Sequence, residues 1–171
     1  METTLRPICL SIILWLTWGC ASSKQADEPG LCDGSGEPTV QIGTGAGSEF
    51  YPLSEGDSVS LDVAPQGGFG VSVRAVTTGL KGDDVVDVNL ITELNGMQSG
   101  EFLSEGVQLY CQDDGNGMLW GVVVGFDPET FPDNDALLAL NGSTADLIVE
   151  IMDTDGDTAT GRVAVTIEVG G

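Results

Sequence analysis

The segment Leu147–Val169, LIVEIMDTDGDTATGRVAVTIEV, carries apolar residues at every second position on both sides of an Asp-Gly turn. Leu147, Val149 and Ile151 share one face of the first arm. Val163, Val165, Ile167 and Val169 share one face of the second, alternating with Arg162, Ala164, Thr166 and Glu168. A period of two sends successive side chains to opposite faces of an extended chain, so the segment reads as a hairpin with one face buried. The same alternation recurs upstream at Val59, Leu61 and Val63, at Val71, Val73 and Ala75, and at Val86, Val88 and Leu90. Trp120, Val122, Val124 and Phe126 form a further set, which assigns Trp120 to the core. Pro65-Gln66-Gly67-Gly68, Asp113-Asp114-Gly115-Asn116-Gly117, Asn141-Gly142 and Asp155-Gly156 supply turn chemistry between these runs. Asp133–Leu140 is compatible with one or two helical turns and stays open. Short alternating strands separated by such turns predict an all-β fold over residues 39–171, with half-buried strands of a sandwich or a barrel. Glu49-Phe50 with Leu53-Ser54-Glu55-Gly56 is echoed by Glu101–Gly106. The echo reads as two similar turns, or else as a duplicated hairpin.

Composition narrows the chemistry. The 171 residues include 27 acids against 5 bases, for a formal net charge of −22, and no histidine. That balance repels nucleic acid, whose phosphates need Lys and Arg, and disfavours docking on anionic lipid through charge. The lack of histidine removes Ser-His-Asp and Cys-His catalysis and histidine metal ligation. Hydrophobic residues at 41% are enough to build a core, so the acidity belongs to a folded surface.

The N-terminus reads as an export signal. Arg6 precedes an apolar run from Ile8 to Trp18, which as a helix reaches only about 17 Å, short of a bilayer core of ~30 Å. Residues 1–19 are therefore a signal peptide rather than a membrane span. Leu16-Thr17-Trp18-Gly19-Cys20 resembles the lipobox of bacterial lipoproteins, in which the cysteine after a small residue is lipidated and becomes the new N-terminus. Gly19 and Cys20 match that pattern, whereas Thr17 and Trp18 stand where a Leu and a small residue are usual. The alternative is ordinary cleavage after Ala21 and a secreted or periplasmic protein. Residues 20–38 are polar and rich in Ser, Gly, Asp and Pro, the composition of a flexible tether. Ala21 and Ser22 follow Cys20 without an Asp, which favours the outer membrane. Cys9 leaves with the signal peptide, and Cys32 and Cys111 remain in an oxidising compartment. A disulfide between them is the economical reading, with two buried thiols as the alternative.

The stretch Phe50–Leu80, FYPLSEGDSVSLDVAPQGGFGVSVRAVTTGL, resembles a group of uncharacterised bacterial lipoproteins with an immunoglobulin-like domain. Those proteins share an aromatic-x-Pro-Leu-x-x-Gly segment, matched here by Phe50–Gly56, then a strand, Pro-Gln-Gly-Gly and another strand. A histidine often follows their next aromatic; Gly70 stands at that place here, after Phe69. Leu147–Val169 is similar to the closing hairpin of extracellular immunoglobulin-like repeats. Both resemblances imply a β-sandwich, so the expected fold is an immunoglobulin-like Greek-key β-sandwich of about 7–9 strands over residues 39–171; neither implies an activity.

Candidate sites are all acidic or aromatic. Asp153, Asp155 and Asp157 form the best metal candidate, because calcium takes several oxygen ligands. The spacing is not that of an EF-hand, since positions six and twelve of the loop hold Thr158 and Ala164. A plain acidic hairpin is the competing reading, so calcium is the one cofactor in view and none is required. Asp113, Asp114, Asn116, Asp127, Glu129, Asp133 and Asp135 form other acidic loops, read as a cation or basic-partner patch or as solvated surface. Tyr51, Phe69, Tyr110 and Phe131 either line a binding surface or finish the core. The expectation is a non-enzymatic envelope lipoprotein, anchored by Cys20, that recognises a protein or glycan partner. A structural acidic, cation-holding lipoprotein is the alternative, and a small carboxylate-dependent glycoside hydrolase a remote one.

Overall fold

The computed structural model describes residues 32–63 and 68–169. The signal peptide, Cys20, most of the tether and the turn at Pro65–Gly67 lie outside the described residues. Among the described residues nine strands and one short helix follow in order: β1 (Thr39–Thr44), β2 (Tyr51–Pro52), β3 (Ser58–Val63), β4 (Phe69–Thr78), β5 (Asp84–Leu94), β6 (Met97–Cys111), β7 (Gly117–Gly125), α1 (Asn134–Leu138), β8 (Thr144–Met152) and β9 (Thr158–Glu168). The Asp133–Leu140 segment thus contains a helix of five residues, capped by Asp133, whose Oδ1 accepts the Ala136 N–H at 2.9 Å.

Alternation builds the strands as expected. Across β5 and β8, Val88 faces Ile151 and Leu90 faces Val149, and all four are fully buried. In β9, Val165 and Ile167 are buried in the same way, and in β4 so are Val71 and Val73. Each such side chain contributes about 1.5–3 kcal/mol when withdrawn from water.

The expected immunoglobulin-like Greek-key sandwich does not form. The strands close into a seven-stranded barrel in the order β4-β3-β9-β8-β5-β6-β7, with β7 returning to β4; β1 joins β4 beside β3, and β2 extends β1. Two strands change partner along their length and so close the ring. β3 pairs in parallel with β9 over Ser58–Ser60, then antiparallel with β4 over Leu61–Val63. β6 pairs with β5 from Met97 to Leu109, then with β7 at Tyr110 and Cys111. Alternation reports one buried face per strand and is the same in a sandwich and a barrel, so it is silent on whether the edges meet.

Curvature comes from β-bulges. Asp87 of β5 faces both Glu105 and Gly106 of β6, and Ser99 is a second extra residue where Thr92 pairs with Gly100 and Glu93 with Gln98. Extra residues bend and twist a strand, which is what closing a barrel requires. They also erase the period of two in β6. The echo of Phe50–Gly56 at Glu101–Gly106 has no structural counterpart: the first copy spans β2 and a turn, the second lies inside β6. At Gly70 any Cβ would collide with the Val124 carbonyl of β7, which explains why no histidine or other side chain stands after Phe69.

Cys32 and Cys111 form a disulfide across 79 positions, with a Cα–Cα distance of 5.8 Å. It joins the segment before β1 to the end of β6, beside the β4–β5 turn, where the Gly82 N–H donates to the Cys32 carbonyl at 2.9 Å. Closing so long a loop contributes on the order of 4 kcal/mol by restricting the unfolded chain. A Cβ at Gly82 would lie 2.6 Å from Cys32 Cβ and 3.2 Å from Cys111 Cβ. Gly82→Ala is therefore expected to lower the unfolding midpoint of the oxidised protein more than that of the reduced protein, measured by urea denaturation with and without reductant. An equal loss in both states would show that the bridge is not what the methyl disturbs.

Candidate functional site

The β8–β9 turn holds Asp153, Asp155 and Asp157, but the carboxylates of Asp153 and Asp155 are spent on separate tasks. Asp153 is buried; its Oδ1 accepts the N–H groups of Asp155 and Asp157, each at 3.0 Å, and its Oδ2 accepts the Lys81 N–H at 3.1 Å. Asp155 Oδ2 instead pairs with Lys81 Nζ at 2.8 Å. That hydrogen bond and its charge hold the Lys81 ammonium above its ordinary range, assisted by Asp84 and Asp153. Thr154 Oγ1 donates to Asp84 Oδ2 at 3.1 Å, so the turn is tied to the start of β5. Among the described residues no three carboxylates or thiols converge on a common metal position. The cluster fastens the β8–β9 turn to the β4–β5 turn.

The other acidic loops are self-contained. Asp114 accepts from the N–H and Nδ2 of Asn116 within the β6–β7 turn. Asp127 accepts from Thr130 Oγ1 at 2.7 Å and from the Glu129 N–H at 3.1 Å, and these bonds, the hydroxyl first, hold its carboxyl below the usual range. Asp133 caps α1 while Asp135 and Glu129 are exposed. The Asp113–Asn116 and Asp127–Asp135 groups sit before and after β7, a strand of nine residues that separates them by roughly 26 Å, so they do not merge into one patch.

The aromatic residues divide differently from expectation. Phe69 is packed against the core, and Phe131 meets Phe126 edge to face at 5.3 Å. Tyr51 is exposed. Trp120, assigned to the core by its phase, is 45% exposed. The cause is a third bulge: Val73 pairs with Val122 and Ala75 with Leu119, leaving Trp120 and Gly121 together opposite Arg74. Leu119 therefore faces inward, Val122 resumes the inward phase, and the extra residue turns Trp120 out. A glycine inside an alternating strand is the sequence signal for such a bulge, and Gly121 follows Trp120 directly.

Three side chains converge there. Trp120 and Tyr110 have ring centroids 5.3 Å apart at an interplanar angle of 52°, and Tyr110 is 44% exposed. Arg74 lies beneath, with its Cζ 5.7 Å from the Trp120 ring centre. Only 6% of Arg74 is exposed; its Nη1 donates to the carbonyls of Gly47 at 2.7 Å and Glu49 at 3.2 Å, which anchors the β1–β2 loop. The Nε is buried without an acceptor. The negative face of the indole offsets part of the cost of burying this cation. Beside the rings Gly121 leaves a notch: a methyl placed there would sit 3.5 Å from Ser72 Oγ and 3.7 Å from Arg74 Nε, in ordinary contact.

Two outcomes follow from these turns. Asp153→Ala should lower stability by about 2–3 kcal/mol, since it orphans N–H groups that its buried carboxylate accepts. Asp157→Ala, on the exposed side of the same turn, should change stability by about 0.5 kcal/mol or less, both read by urea unfolding. Because the Asp127 carboxyl is held below its ordinary 3.8, its contribution is present above that value and is lost as pH falls through the lowered one. The protection factor of the Phe131 amide, whose N–H donates to the Asp127 carbonyl, should then fall in acid, and Asp127→Asn should show that loss of protection already at neutral pH.

No protein-family model matches the chain, and comparison with curated proteins gives no match. Among solved structures, murine CRIg is similar at 12% identity, covering 80% of this chain and 100% of that one, with a TM-score of 0.32. A likeness that slight carries neither fold nor function.

Proposed function

We propose that this protein is a non-catalytic lipoprotein of the cell envelope, anchored through Cys20, which binds glycan on the face formed by Trp120, Tyr110 and Arg74. The export signal and lipobox support the anchoring, and Ala21-Ser22 after the cysteine favours the outer membrane. A Cys32–Cys111 bridge fits an oxidising compartment. The absence of histidine from the whole chain supports a binding rather than a catalytic role.

The observation that carries the binding reading is the exposed Trp120–Tyr110 pair on a β-bulge. Large aromatics are normally drawn into a core of this kind, and a bulge that turns a tryptophan outward is a feature found next to functional sites. Two tilted rings offer apolar faces to the C–H faces of sugar rings, with the Ser72 and Tyr110 hydroxyls beside them for sugar hydroxyls. The pair is too small to supply the ~800 Å² per partner of a stable protein interface on its own, whereas one or two sugar residues would cover it. A neutral glycan also meets no repulsion from a surface of −22.

Titration of the full chain with a panel of neutral oligosaccharides of about three to six sugars, followed by NMR, tests the reading. At least one class should shift the Trp120 indole signal, with Trp120→Ala abolishing binding and Gly121→Val, which fills the notch, weakening it about tenfold without lowering thermal stability. Binding that survives Trp120→Ala, or a panel that leaves the indole unmoved while a protein partner shifts it, would overturn the glycan assignment. Loss of fatty-acid labelling in Cys20→Ser tests the anchor.

A further inference from the structure

A second surface, centred on β5 two strands round the barrel from β7, follows from the outward residues of β5, β6 and β8. Along these strands Asn89 is flanked in register by Leu103 on one side and Glu150 on the other, and Asp87 is paired with Met152. Glu105 stands in the β6 bulge opposite Asp87. Together Asp87, Asn89, Leu103, Glu105, Glu150 and Met152 line a groove of about 220 Å³. Its apolar members are not buried by the fold: Leu103 is 70% exposed and Met152 40%. Asn89 Oδ1, in the same groove, is withdrawn from water without a donor. The carboxylates have no counter-ion: the described cations are engaged elsewhere, Lys81 with Asp155, Arg162 with Glu93 and Asp146, and Arg74 with backbone carbonyls beneath Trp120.

We infer that this groove docks a basic, partly apolar polypeptide segment of a partner protein, seating a Lys or Arg side chain over Asn89. Charge complementarity selects the occupant. Three carboxylates around an apolar floor suit a side chain that carries a cation at the end of an aliphatic stem: the stem lies against Leu103 and Met152 while the head reaches Asp87, Glu105 and Glu150. A second copy of this chain is disfavoured, because two molecules of charge −22 would meet through like charges. An anionic lipid surface is disfavoured for the same reason. The surface is separate from the Trp120 face, so it stands whether or not that face binds glycan.

The test uses the full chain and two synthetic nonapeptides, one alternating Lys with Leu and the other Lys with Ser. The Lys–Leu peptide should bind more tightly, with NMR shift changes concentrated at Asp87, Asn89, Leu103 and Glu150 and none at Trp120. Leu103→Ser should weaken it about tenfold, and raising salt from low ionic strength to about 0.15 M should weaken it severalfold. Leu103 points to solvent, so that variant should unfold at the wild-type temperature; Glu150→Gln provides a second variant with the apolar floor intact and should also weaken binding. Equal binding of the two peptides, shifts spread over the whole acidic surface, or an unchanged affinity of Leu103→Ser would each overturn the proposal. So would a Leu103-dependent dimer in sedimentation, which would make the occupant a second copy.

Discussion

β4 carries more of the architecture than any other strand because it pairs with three others, β1, β3 and β7. One edge pairs with β7 from Gly70 to Thr77, and the other is divided between β3 at Phe69–Val71 and β1 at Arg74–Thr78. A closed ring must satisfy backbone N–H and C=O groups on both sides of every strand, and the strand where the ring is sealed leaves no slack in register. The Gly70 backbone contact with Val124 marks how tightly β4 and β7 are pressed together. Where the sheet cannot keep a regular register against β4, it expels a residue, and the expelled position is Trp120-Gly121. The exposed aromatic pair is thus a by-product of closure placed where a binding face can use it.

Charge is distributed with the same economy. Three described cations each hold a joint: Arg74 the β1–β2 loop, Lys81 the β4–β5 turn to the β8–β9 turn, and Arg162 the outer face of β9 to Asp146 and Glu93. Among the remaining acids, Asp114, Asp127 and Asp133 organise their own turns, while Asp83, Glu55 and Asp153 accept backbone N–H groups from residues distant in sequence. A net charge of −22 then opposes association with anything similarly charged, while local apolar patches such as Leu103 and Met152 provide contact area for a partner of opposite sign.

Strands with an undisturbed period of two were legible in the sequence: β4, β5, β8 and β9 each bury the residues their alternation picks out, and the Cys32–Cys111 pair is the one left once Cys9 and Cys20 are assigned to export. β6 was not legible as a strand, because its bulges at Ser99 and at Glu105–Gly106 shift the phase twice within its length. Trp120 was misassigned for the same reason, one bulge away from its true phase. The closure of the barrel depends on which edges pair, and no single strand carries that information in its alternation; a sandwich and a barrel present the same pattern until β3 and β6 are seen to change partners. The acidic triplet at Asp153–Asp157 was legible as a turn, but the backbone donors that occupy Asp153 come partly from Lys81, a residue distant in sequence.

The disulfide also sets how the molecule would bear tension. A pull on the chain ahead of Cys32 crosses the covalent bridge to Cys111 and continues toward the C-terminus. The segment between them, a sequence separation of 79 that includes β1 through most of β6, forms a closed loop outside the load path and adds no length when the ends are drawn apart. Only β7, α1, β8 and β9 can be stripped from the fold by such a force. Gly121 and Trp120 lie on that extensible side, in β7, while their partners Arg74 and Tyr110 lie inside the locked loop. Tension along the chain would therefore separate the aromatic face before it extended any strand that the bridge encloses.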